Sequence, residues 1–558
     1  MSKKSRSKLW FLVHSWLALP IWFFALAVCI TGTVAVISQE LVWLANPDIR
    51  ANKPANDAHR LGYDEVITAI ASQNPKLDVQ YILRPDEAHF ALQVQVVQPD
   101  HTTQNLYVNP FTGKIQGTAP GFDFRGFTRA LHGWCLVPFT NGYPWGWYLV
   151  SLLAMPMLAS LVTGLVVYKR FWKAFFKPTL RFHQGARIFW GDFHRLSGIW
   201  SIWFIAIISI TGLWFLVQAV LADNQISISS RSPVTVLARE DVPLMQVAER
   251  PGTVSLEEAI SRFSQQVPGF EASFVRMPGN AYDTLTVRGR GAYPLMNESA
   301  SLDPYSGRII ASHKLSDRKP LEFVTESMRP LHTGDFGGLG LKLVWFGFGL
   351  ILSMLVLSGL LMWSKRTLQA TSAAIKRGKT TPAQVSPRRQ VWLKWRFHLN
   401  VLLVVVPVLF LPRYFADQAL FKGVSGLGER EIGVVPVGPW HVRLAEFRAQ
   451  PPRYEGAAGY IKSFSAALCE TCISEVKATY LRLGKPRNLR TAGGIFFGSA
   501  HSMGVSIPVS VNTPEEASLW VTMEGWDGSL HQGSVSLKQA SPATLIWLQH
   551  TRDSEHSQ

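Results

Sequence analysis

The amino-acid sequence predicts a polytopic α-helical membrane protein of about five spans, built from duplicated helix pairs, with small α+β domains outside the membrane. Three observations predict it. Apolar residues make up 47% of the 558, and they gather into a few long runs instead of recurring at the spacing of a soluble core. Positive charge gathers in the segments between those runs. A pattern of helix, small domain and helix occurs twice along the chain.

Five runs reach or approach spanning length, at roughly residues 9–38, 145–168, 190–220, 341–363 and 392–415; a span takes about 20 apolar residues. The fifth is interrupted by Pro407, Pro412 and Arg413, so the sequence leaves open whether it crosses fully. Lys3, Lys4, Arg6 and Lys8 precede the first run in the manner of a signal peptide. That run is too long for one and closes on no small-x-small cleavage pattern, so a retained helix is expected.

The formal net charge is +17. Residues 1–8, 169–187 and 365–396 carry four, six and nine Lys/Arg and no Asp or Glu, which accounts for the whole excess. The positive-inside rule assigns these stretches to the cytoplasm, and their basicity is explained by orientation and anionic lipid; nucleic acid is not expected as a partner. The expected division is a first membrane helix in 1–40 and an outer α+β domain with a histidine segment in 41–140. Helices two and three with a basic loop follow in 141–222, and a second outer domain in 223–335. Helices four and five occupy 336–421, and 422–558 is a C-terminal domain on the outer side if the fifth run crosses.

Self-similarity is the most informative signal. His14 is followed seventeen residues later by Thr31-Gly32, and His194 seventeen residues later by Thr211-Gly212; Gln39 and Gln218 come near the ends of the same runs. Outside the membrane, Val108 to Ile115 matches Leu302 to Ile309 at an offset of 194. Each match is preceded by a short helical pattern, Tyr63 to Ser72 and Leu256 to Gln265, and by strand-like runs such as Ala91 to Val97 and Thr284 to Val287. Within the matches, Pro110-Phe111-Thr112-Gly113 and Pro304-Tyr305-Ser306-Gly307 are turns, with Pro fixing one position and Gly supplying positive φ at another.

Histidine is costly in or beside hydrocarbon and marks a functional site more often than other residues there. His14 and His194 fall at the cytoplasmic ends of the first and third runs, and His132 and His332 on the outer side before the second and fourth. Two neutral imidazoles approaching from opposite sides supply both axial ligands of a haem iron, and each remaining ring N–H needs an acceptor. Pairing by face gives His14 with His194 inside and His132 with His332 outside. A single histidine at a helix end is more often a dipole partner or an interfacial anchor, and a duplication preserves structural histidines too. His398 is a rival inner-face ligand, in a segment echoing Asp192-Phe193-His194; His183 in the basic loop is expected to be solvated.

These residues resemble the PepSY-associated transmembrane family, described as iron-regulated inner-membrane proteins. The resemblance covers roughly residues 9–366 and is carried by the two His…Thr-Gly helices, the two Pro-aromatic-Thr/Ser-Gly turns and Leu331-His332-Thr333-Gly334. It implies PepSY-like domains outside a bacterial inner membrane, with the N-terminus cytoplasmic. It also implies two haem b groups held through iron by His14, His194, His132 and His332. The implied activity is that of a haem-dependent ferric-chelate reductase, which reduces a periplasmic ferric siderophore or other Fe(III) chelate to release Fe(II). Oxygen donors that hold Fe(III) strongly hold Fe(II) far less strongly, so one-electron reduction is a release step. No catalytic residue beyond the haem ligands is expected, and no Ser/His/Asp or zinc-protease arrangement is found.

The remaining features add less. Gly334 to Gly340 is rich in glycine but follows no strand, so it is not a dinucleotide fingerprint. Electrons are therefore expected from a separate cytoplasmic reductase or from quinol. Cys469 and Cys472 form a CxxC pair with no partner pair, for which a local disulfide or a plain structural role is expected, and Cys29 and Cys135 are expected to pack as small apolar residues. The segment after 422, with a helix-like run at 456–468, has the pattern of a degenerate PepSY-like domain. Two other functions fit the sequence: a non-catalytic PepSY-type regulatory or binding membrane protein, and a transporter. A transporter needs polar, broken helices at mid-membrane, whereas these runs keep their histidines at the ends.

Overall fold

The computed structural model describes residues 3–18, 21–53, 58–140, 142–168, 171–226, 228, 235–245, 251–376 and 387–556. The chain passes back and forth between two units. One comprises Met1–Leu44, Phe122–Ser229 and Pro320–Tyr414, and the other Ala45–Gly121, Ser230–Lys319 and Phe415–Gln558.

The first unit opens with α1 (Lys3–Ala18), α2 (Trp22–Val36) and α3 (Ser38–Ala45). The single first helix expected from the sequence is thus divided, and α3 turns away from α2 by 59°. At that bend the Ser38 hydroxyl donates to the Ala35 carbonyl at 2.8 Å, taking a helix acceptor for a side chain. The second unit begins with α4 (Tyr63–Gln73), β1 (Asp78–Leu83), β2 (Leu92–Val97), β3 (Thr103–Val108) and β4 (Ile115–Thr118). The chain returns to the first unit through α5 (Phe124–Trp134), α6 (Trp145–Leu152), α7 (Ala154–Val167), α8 (Phe171–Phe176), α9 (Ala186–Trp200) and α10 (Ile202–Asp223). The run expected at 190–220 is therefore two helices, parted at the buried Ser201.

A second excursion forms α11 (Leu256–Ser264), β5 (Glu271–Arg276), β6 (Leu285–Arg290), β7 (Glu298–Leu302) and β8 (Ile309–His313). Then come α12 (Pro320–Thr333), α13 (Gly338–Lys376) and α14 (Pro387–Phe421). Among the described residues, Trp145–Val167, Ile202–Asp223, Gly338–Met362 and His398–Phe421 are long and apolar enough to cross a membrane, and the bent pair α2 and α3 makes up to five. The fifth run, doubtful in the sequence, stays helical through Pro407 and Pro412, with a mean hydropathy of 1.9. Small residues set the approach of these helices. A Cβ added to Gly349 on α13 would come within 2.6 Å of Thr33 Oγ1 on α2, so only glycine allows that contact.

In the second unit, eight strands form one sheet in the order β4-β3-β2-β1-β5-β6-β7-β8. Each half is an antiparallel four-strand meander preceded by a helix, and the halves join through β1 and β5, with Ile82 opposite Val275. Alternation explains the register: Leu92, Val94 and Val96 on β2 are buried and share one core with Val66 and Ile70 of α4 and Phe263 of α11. The two helices cap each other. Asp64 Oδ2 accepts from the Leu256 N–H at 2.8 Å, and Glu257 Oε1 accepts from the Asp64 N–H at 3.2 Å. Both Pro-aromatic-Thr/Ser-Gly segments are the turns expected. Gly113 and Gly307 sit at φ 67° and 69°, and each donates its N–H four residues back, to Asn109 and Asp303.

The C-terminal part of this unit is all-β apart from short helices and a last helix, Pro542–His556. Its strands form a six-stranded and a four-stranded sheet around a core that includes Leu444, Phe464, Leu481 and Val521. It does not repeat the helix-then-four-strand order of the two halves before it. The helix expected at 456–468 is instead a short turn and the strand Tyr460–Leu468, pairing on both sides, with Phe464 opposite Glu446 and opposite Val505. Cys469 and Cys472 are joined by a disulfide at the edge of that core.

Candidate functional site

The four singled-out histidines each lie on a different helix of the first unit: His14 on α1, His132 on α5, His194 on α9 and His332 on α12. The structure brings them together in two pairs. The ring centres of His14 and His194 are 6.3 Å apart, and those of His132 and His332 are 6.2 Å apart. His398 is exposed on α14 and does not line the cavity described below, and His183 is exposed in the loop before α9.

Each imidazole is held through Nδ1. His14 Nδ1 is 3.0 Å from Thr163 Oγ1 on α7, and His194 Nδ1 is 2.9 Å from Ser358 Oγ on α13. His332 Nδ1 is 2.7 Å from Thr211 Oγ1 on α10, and His132 Nδ1 is 3.1 Å from the Val28 carbonyl on α2. The direction of these bonds follows from where the hydroxyl protons go. A Thr or Ser hydroxyl has one proton. Thr163 donates it to the Ala159 carbonyl at 2.7 Å, Ser358 to Leu355 at 2.8 Å, and Thr211 to Ile207 at 2.7 Å. Their oxygens are left to accept, and a carbonyl only accepts. With the hydroxyl protons on these carbonyls, the four Nδ1 atoms are the donors and Nε2 keeps its lone pair, the tautomer of a metal ligand whose other nitrogen is anchored. Burial holds His132 and His332 below the ordinary histidine range, which keeps these two rings neutral.

A glycine lies beside three of the four rings. A Cβ on Gly32 would lie 2.6 Å from His132 Cε1, whereas on Gly164 and Gly359 it would lie 3.4 Å from His14 Cε1 and 3.5 Å from His194 Cε1. Gly212 serves differently: its Cβ would meet Ala154 at 3.0 Å, so it seats α10 against α7. A cavity of about 900 Å³ runs through this unit and touches all four histidines, between largely apolar walls such as Phe204, Ile208 and Leu352. Two imidazoles holding one metal ion through nitrogen, at about 2 Å each, would have ring centres about 6 Å apart, and the ring centres of both pairs lie at such a distance. The donor set and the apolar cavity fit an iron macrocycle, which His14 with His194 and His132 with His332 would hold.

A family model described as PepSY-associated TM region matches residues 11–366. The chain belongs to this family. Residues 391–538 match a second model, described as Uncharacterised conserved protein UCP029505, so the PepSY-associated region ends before the last apolar helix and the all-β part. The uncharacterized protein PA4219 of Pseudomonas aeruginosa is 24% identical over 349 residues, which is 54% of this chain and 85% of that protein.

Within the PepSY-associated region, sequence reasoning singled out Thr31-Gly32 and Thr211-Gly212 but missed their counterparts in the second and fourth runs, Thr163-Gly164 and Ser358-Gly359. The signal was available, since Leu161-Val162-Thr163-Gly164-Leu165 and Val356-Leu357-Ser358-Gly359-Leu360 are alike. Thr31 was misleading in its detail. Its hydroxyl donates to Ala27 and Val28 of its own helix, and it is the Val28 carbonyl that His132 uses.

Proposed function

We propose that the protein moves electrons through the membrane by way of two haem b groups, one between His14 and His194 and one between His132 and His332. The electrons would reduce a ferric siderophore or other Fe(III) chelate outside a bacterial inner membrane. The observation that carries this reading is the pairing of the four histidines, with ring centres 6.3 Å and 6.2 Å apart, on one cavity. Bound haem iron would supply reversible one-electron transfer. The chain's own residues do the rest: Thr163, Ser358, Thr211 and the Val28 carbonyl fix ring orientation and tautomer, and the apolar walls exclude water.

One electron from quinol or a cytoplasmic reductase converts Fe(III) to Fe(II), whose weaker hold on hard oxygen donors frees it. With the basic stretches in the cytoplasm, the N-terminus lies with the inner pair and the sheets lie outside. The test is the optical spectrum of the full chain purified from haem-replete cells. Sharp reduced bands of six-coordinate b haem, halved by His194→Ala and by His332→Ala separately and removed by both, are expected. A colourless wild-type protein would overturn the reading.

A further inference from the structure

The outer histidine pair carries a second repeated feature. His132 lies in Arg129-Ala130-Leu131-His132 and His332 in Arg329-Pro330-Leu331-His332, so each has an arginine three residues earlier on its own helix. Residues at i and i+3 share a helix face. Arg129 and Arg329 accordingly line the same cavity as the two histidines, and so does Arg125, one turn further back on α5. Burial disfavours the charge on Arg129, and the nearby charges of Arg329 and Arg125 add to this.

Among the described residues, none of the three arginines has a carboxylate within ion-pair distance; Asp123, whose charge reaches Arg129, is engaged in capping α5 through the Gly126 N–H at 2.9 Å. Lys342 lines the same cavity but is already paired, with Glu40 at 3.1 Å and Asp335 at 3.7 Å. The site thus combines apolar walls, two imidazoles and, beside each of them, a guanidinium with no carboxylate at ion-pair distance among the described residues. A ligand that satisfies all three is an iron macrocycle bearing two carboxylates.

Resting on the haem reading above, we infer that Arg129 and Arg329 bind the two propionate carboxylates of the haem at the outer pair, one from each helix. Guanidinium matches carboxylate in a two-point, charge-assisted contact. Arg125 adds positive charge at the same place. No such doublet precedes the inner histidines, where residue 11 is Phe and residue 191 is Gly.

The test uses the full chain, freed of haem, in lipid nanodiscs, with His14→Ala so that only the outer pair is complete. Iron protoporphyrin and its dimethyl ester, in which both carboxylates are blocked, are titrated in and followed by absorbance. The free acid is expected to bind roughly tenfold or more tightly than the ester. Arg129→Gln with Arg329→Gln should weaken the acid by a similar factor and leave the ester unchanged. Equal binding of acid and ester, or equal weakening of both by the arginine substitutions, overturns the inference while leaving the bis-histidine reading intact. It would assign the arginines to another anion, such as a lipid phosphate. Uptake of neither porphyrin overturns both.

Discussion

Thr163 Oγ1 lies 3.0 Å from His14 Nδ1 and gives its own proton to the Ala159 carbonyl one turn back on α7. With the proton so placed, a side chain that is ordinary in an apolar helix sets which nitrogen of a histidine on another helix carries hydrogen. Thr163→Val keeps the shape and removes the acceptor. The inner pair should then lose about 10- to 100-fold in haem affinity, and Thr163→Ser should restore it; absorbance titration of the two variants checks this.

Gly32→Ala addresses the other pair. Its new Cβ would lie 2.6 Å from His132 Cε1 on another helix, so His132 must give up its bond to the Val28 carbonyl. The expected outcome is loss of the outer centre with retention of the inner one, read as half the b-type absorbance. Gly164→Ala, with 3.4 Å to His14, should be tolerated far better.

The sheet unit provides a test of the fold. Ile82 is fully buried where β1 meets β5, and truncation of such a side chain costs about 2–5 kcal/mol. Ile82→Ala should lower protection against hydrogen exchange on both strands together, since they belong to one sheet. Loss of protection on β1 alone would show that the halves are not joined.

Acidification should weaken the same unit through His501. Burial pushes its imidazole below the ordinary value of 6.5, with the neighbouring His101 adding to the shift and Asp78 opposing it. The unfolded chain then binds more protons than the folded one below about pH 6.5. This contribution leaves stability unchanged above that pH and reduces it as pH falls through it. Thermal melts from pH 7.5 to 5 should show a decline that is smaller in His501→Gln.

Much of this was legible in the sequence because the membrane makes polar residues conspicuous. Four histidines at the ends of apolar runs could be paired by face, and the structure brings the same pairs within about 6 Å. Their partners were not legible. Thr163 and Ser358 look like any hydroxyl bonded back to its own helix, and only packing reveals the free lone pair on the other side. The bend between α2 and α3 falls at the end of an apolar run, where the Ser38 hydroxyl bonds back to the Ala35 carbonyl. The helix expected at 456–468 failed for a different reason. Its alanines have high helix propensity, but Ala466, fully buried with a strand on each side, is small because little space remains there.

The joining of β1 to β5 also fixes a parity. Residues 78–83 and 271–276 belong to one sheet, so both must lie on the same face of the bilayer, and the chain between them must cross an even number of times. It contains two candidate spans, Trp145–Val167 and Ile202–Asp223. The same count holds between β8 and the all-β part, which lie in one unit and are separated by Gly338–Met362 and His398–Phe421. With α2 and α3 as one crossing, the total is odd. Assembly inherits a fixed order from this arithmetic: the first meander must wait with β1 uncovered until two further helices have been threaded and the second meander has been exported to meet it.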